Sequence, residues 1–145
     1  KSLEPAGVVV LITGAGGAFK QILVDSEAGA VLAETLTATG MSPLLFGFAV
    51  AAIIRVAQGS ATVAMLTAAG IAAPVVELAG LSPGGTALMV LAIASGATVL
   101  SHVNDSGFWL VSRYLGLSEA QTLRSWTVTA TLVGLATALV LSLFV

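Results

Sequence analysis

Four stretches of this chain carry no Asp, Glu, Lys or Arg: residues 35–54, 56–76, 78–104 and 125–145. Each is close to or above the roughly 20 residues that take a helix across a bilayer. Charge is scarce throughout, at 8% of 145 residues against 57% hydrophobic. A soluble domain carries about 25% charged residues, so a water-exposed fold is the poorer fit. Backbone groups in hydrocarbon must be hydrogen-bonded within the protein. The length and continuity of the apolar runs favour helices. The expected fold class is therefore an all-α membrane protein, its transmembrane helices including an interrupted helix and a re-entrant hairpin.

Several functions lose support early. The net charge of −2 names no partner, and no basic, aromatic-interleaved stripe points to nucleic acid. Cysteine is absent, which removes disulfides and thiolate metal sites. The glycine-rich run Gly14-Ala15-Gly16-Gly17-Ala18-Phe19-Lys20 lacks the Lys-Ser/Thr ending of a phosphate loop and the third glycine of a dinucleotide fingerprint. His102 and Asp105 alone are too few for a metal. No nucleophile elbow accompanies them, so no catalytic residue, no cofactor and no enzyme activity is expected.

Polar and apolar stretches divide the chain into five segments. Residues 1–19 read as the end of a span or a half-helix, with no signal-peptide pattern. Residues 20–40 mix Lys20, Asp25, Glu27 and Glu34 with apolar positions and read as an amphipathic connector. Lys20 and Asp25 fit a surface pair there. Ser42-Pro43 is a helix start. Residues 43–78 are too long for one span and have a polar middle, Arg55-Val56-Ala57-Gln58-Gly59-Ser60-Ala61-Thr62, so they read as an interrupted helix. Residues 83–116 run apolar, polar at Ser101-His102-Val103-Asn104-Asp105-Ser106-Gly107, then apolar, the pattern of a re-entrant hairpin. Residues 125–145 form a last span, with Arg124 and Trp126 at the membrane interface. The chain reads as the C-terminal transmembrane segment of something longer.

The two polar interruptions carry the chemistry. Broken helices in transporters turn dipole ends, free carbonyls and hydroxyls toward substrates and ions near the bilayer midplane. Arg55 suits a carboxylate, because its guanidinium fork matches two oxygens and keeps its charge when buried. Gln58, Gly59, Ser60 and Thr62, with Ser101, Asn104 and Ser106, offer hydrogen bonds to substrate hydroxyls. The plainer alternative leaves Arg55 snorkelling at an interface or paired with Glu77 or Asp105. His102 and Asp105 are the candidate proton carriers, since an imidazole and a buried carboxylate can each load and release a proton. Their alternative role is to satisfy a hairpin tip.

Three stretches bear a resemblance. GAGGAFKQILVDS (14–26), RVAQGSATVAM (55–65) and SHVNDSGFWLVSRYLGLSEAQTLRSWT (101–127) resemble the C-terminal part of the gluconate permease, or gluconate:proton symporter (GntP), family. The family pattern has a glycine after Ser26 where this chain has Glu27. The resemblance implies a multi-pass protein of the bacterial inner membrane that imports gluconate or a related hydroxy or sugar acid with a proton. The partners it implies are the small organic acid, the proton, the lipid bilayer and the remaining N-terminal part of the transporter, with a homo-oligomer left open. Two alternatives stand beside it: transport of D-serine or another small organic acid, and a membrane structural or assembly subunit that transports nothing.

Overall fold

In a computed structural model of the chain, the structure describes residues 38–144 without a gap, together with residues 14, 18, 22, 25, 26, 31, 34 and 35. Most of the segment expected at 1–19 and most of the connector at 20–40 lie outside the described residues. Regular structure among the described residues is all helical.

Each helix begins on a short polar side chain that accepts an otherwise unpaired backbone N–H. Helix α1 (Pro43–Gln58) starts on Ser42, whose hydroxyl accepts from Leu45 N at 3.2 Å. It stops at Gly59, where the backbone turns left-handed at φ 83° and the N–H returns to the Arg55 carbonyl. Helix α2 (Ala61–Leu78) restarts immediately on Ser60. Helix α3 (Pro83–Thr98) starts on Ser82 and α4 (Ser106–Leu115) on Asp105. Helix α5 (Glu119–Ser142) opens with a reciprocal capping box between Ser118 and Gln121. It widens to a π-helix over Leu123–Thr127. Two helices, α2 with 18 residues and α5 with 24, are long and apolar enough to cross a membrane; α1 and α3 are apolar but shorter.

Neighbour relations fix the directions. Gly47 near the start of α1 lies against Met89 and Ile93 of α3, and Gly96 late in α3 lies against Phe48 and Ala51. Helices α1 and α3 therefore run in the same sense. Ala72, Ala73 and Val76 in the last half of α2 share a groove with Thr86, Met89 and Val90 in the first half of α3. So α2 runs back against α1, and the two pack together as a hairpin. Helices α3 and α4, by contrast, do not pack on one another. This reverses the expected order: residues 43–78 fold back on themselves, and the break at 99–105 separates two helices that do not. The physical reason is residue size. Helix α2 presents Ala64, Ala68 and Ala72, all almost fully buried, which lets backbones approach closely. The short α4 presents only Phe108 and Ser112 to the interior.

Size is inverted relative to a soluble core. Alanines fill much of the interior (Ala51, Ala64, Ala68, Ala72, Ala92, Ala97), while Leu45, Ile53, Val90, Leu91, Leu132, Leu135 and Leu139 point outward. Burying alanine removes little apolar area from water, so such a core is weak in water. In lipid, close contact between helices and not water exclusion drives association, and the same pattern becomes favourable. At Gly96 the approach is so close that a Cβ would lie 2.2 Å from the Phe48 carbonyl oxygen. Helix hydroxyls fold inward on the backbone as well. Thr98, Thr131 and Thr137 donate to carbonyls four residues back, which removes their need for water.

Candidate functional site

The tip of the α1–α2 hairpin meets the break between α3 and α4. The backbone there is close enough to require glycine: a Cβ on Gly59 would fall 2.4 Å from the Asn104 Cβ and 2.6 Å from its carbonyl oxygen. Leu100, at the start of the break, holds a left-handed φ of 50°, costly for a side chain of its shape. Its N–H donates to Thr131 Oγ1 of α5 at 3.0 Å. Strain and a bond to a distant part of the chain therefore coincide at one place.

An ion pair lies at the centre. Arg55, only 2% exposed, donates through Nη1 to the Gly59 carbonyl and through Nη2 to Asp105 Oδ2. A buried cation needs such partners, because removing it from water without them is prohibitive. Asp105 is held on several sides. Its Oδ1 accepts from Gly107 N at 2.9 Å as the cap of α4. Its Oδ2 also accepts from the Ser101 hydroxyl. Ser101, 1% exposed, in turn accepts from the Trp126 indole N–H at 2.9 Å, and its carbonyl accepts from the Thr127 hydroxyl. His102 adds a further tie between the two breaks. Its Nε2 lies 3.0 Å from the Val56 carbonyl and its Nδ1 accepts from Asn104 N at 3.3 Å. A carbonyl only accepts, so the ring carries its proton on Nε2.

One donor at this site is left over. Arg55 Nε is buried and has no hydrogen-bond partner among the described residues. Unpaired buried donors are uncommon enough in folded proteins to call for a cause.

Arg55, Gly59, Ser101, His102, Asn104 and Asp105 thus converge. Ser60 is half-buried beside them but spends its hydroxyl on capping α2, accepting from Val63 N at 3.3 Å. Gln58, Thr62 and Ser106 are exposed and stand outside the hydrogen-bonded cluster. Of the two alternatives raised for Arg55, pairing with Asp105 is the one observed; Glu77 lies at the far end of α2. Trp126, expected beside Arg124 at a membrane interface, also reaches the cluster. It is half-buried and turns its indole N–H inward, to Ser101. Trp126, Thr127 and Thr131 are site residues that the sequence reading missed. Their signal was the spacing of Thr127 and Thr131, four residues apart on one face of α5. Two hydroxyls on one face of a span point toward protein and away from lipid.

The whole chain, residues 1–145, matches the family described as GntP family permease. It is 48% identical over 139 residues to a low-affinity gluconate transporter of Escherichia coli, covering 96% of this chain and 31% of that protein. A gluconate permease of Pseudomonas aeruginosa is 48% identical over 99% of the chain and 32% of its own length. The Gnt-II system L-idonate transporter of Escherichia coli is 46% identical over 92% of the chain and 30% of its own length. The chain thus spans about a third of the curated relatives it matches. No solved structure matches it.

Proposed function

The chain belongs to the GntP family of permeases, and from that premise we propose that it is the C-terminal part of a proton-coupled importer of gluconate or a closely related hydroxy acid. The observation that carries this reading is the meeting of two helix breaks around Arg55 and Asp105. Irregular backbone at membrane depth is tolerated only inside protein or beside a cavity, and transporters place substrate there. The relatives named for gluconate and L-idonate supply the substrate class, a small polyhydroxy carboxylate.

In this reading α1–α2 is a hairpin that enters the bilayer and returns, and α3–α4 is a span interrupted at 99–105. Helix α5 is a full span of a multi-pass protein in the bacterial inner membrane. Arg55 receives the carboxylate. Ser101 and Asn104, with Gln58, Ser60, Thr62 and Ser106 from the rims, serve the hydroxyls. Asp105 and His102 handle the proton. The remaining two-thirds of the transporter supplies the opposing wall, and a homo-oligomer is compatible with the exposed apolar faces.

The test is uptake of radiolabelled gluconate into vesicles bearing the full-length protein, with and without an inward proton gradient. Gradient-driven accumulation is expected. Uptake that ignores the gradient removes the proton from the reading, and no uptake removes the substrate.

A further inference from the structure

We infer that Asp105 occupies half of the carboxylate site, so that a proton on Asp105 and a carboxylate on Arg55 replace one another's contacts. The inference rests on the functional reading above and deepens it. Its ground is the way the guanidinium is used. Nε and Nη2 lie on the same edge of the planar group, and that edge grips a carboxylate with two parallel bonds. Here Asp105 takes Nη2 alone, while Nε is buried and has no partner among the described residues. Asp105 cannot close the second bond as it stands. Its Oδ2 is already shared between Arg55 and Ser101, and its Oδ1 caps α4 through Gly107 N. A freely placed carboxylate can take both Nε and Nη2, so the edge fits an incoming acid better than it fits its resident partner.

Charge then couples the two events. Before binding, the site holds Arg55 as cation and Asp105 as anion. A carboxylate arriving alone would set two anions against one cation in a water-poor place, which is strongly unfavourable. If Asp105 takes a proton from the medium as the acid arrives, the cation keeps a single anionic partner and the net charge is unchanged. Ser101 and Gly107 N can still bond the neutral acid, so the released Asp105 remains in place. Among the described residues the groups facing Asp105 are few. Arg55 comes from α1, the titratable His102 from its own loop, and α5 contributes the uncharged Trp126 and Thr127 by way of Ser101.

The experiment is calorimetric titration of the purified full-length transporter with gluconate, in two buffers of different ionisation enthalpy at one pH. Wild type should take up a proton with each gluconate bound. Asp105→Asn should bind gluconate with no proton uptake. Arg55→Lys, which keeps the charge and loses the fork, should bind roughly tenfold more weakly or worse. Proton uptake that persists in Asp105→Asn, or wild-type binding without any, overturns the exchange while leaving a gluconate transporter. Equal affinity in Arg55→Lys also overturns it and assigns the free Nε to the rest of the protein. If wild type binds no gluconate, the functional reading itself has failed. The wild-type proton count and Arg55→Lys decide the matter even where Asp105→Asn does not fold.

Discussion

The two breaks in this chain are built in opposite ways. The first, at Gly59-Ser60, is made from local parts: a left-handed glycine ends α1 and the next residue caps α2. The second, at 99–105, is held from a distance. Arg55 and Val56 reach it from α1, and Trp126, Thr127 and Thr131 from α5. A locally encoded break keeps its shape whatever surrounds it. One held by remote partners can change shape when a partner changes charge or moves, which is the property a coupling element needs.

Substitutions in the full-length protein can break or sharpen this contrast. The largest effect is expected from Arg55→Leu, which leaves the Asp105 carboxylate without its cation. Removing one partner of a buried pair costs about 3–5 kcal/mol, seen as a lowered melting temperature in detergent. Gly59→Ala comes next. It adds a Cβ into Asn104 and asks alanine to hold a φ of 83°. Such strain costs about 1–3 kcal/mol, and it should loosen both breaks together, read as faster hydrogen exchange at 58–62 and 99–105. Trp126→Phe removes only the bond to Ser101. A loss of about 1 kcal/mol is expected, with exchange quickened at 99–105 and unchanged at 58–62. Ser60→Ala is the mirror case. Losing the cap costs about 0.5–1 kcal/mol, and the quickened amides should lie at 61–64 alone. If Trp126→Phe disturbs the first break as much as the second, the contrast is wrong.

The same contrast explains what could be read from sequence. The charge-free runs pointed to the helical membrane class, and the helix start at Ser42 followed from local chemistry. Arg55, Gly59 and Asp105 stood out because polar residues inside apolar runs need a reason. Which stretch folds back was not legible: apolar periodicity says that helices pack but not with which neighbour, and the alanines of α2 decide it. The π-turn at Leu123–Thr127 leaves no mark in composition, so Trp126 looked like an interfacial aromatic. Gln58 and Thr62 were grouped with Arg55 by nearness in sequence; they are exposed, at the rim of the site, while Arg55 is buried.

The most direct test of the pairing at the centre of this site is a double-mutant cycle of Arg55→Leu and Asp105→Asn, scored by unfolding of the full-length protein. If the two residues neutralise each other as an ion pair, the double variant is more stable than Arg55→Leu alone, with a coupling of about 2 kcal/mol or more. If the two losses add to within about 0.5 kcal/mol, the residues act separately and the join between the two breaks does not rest on this pair.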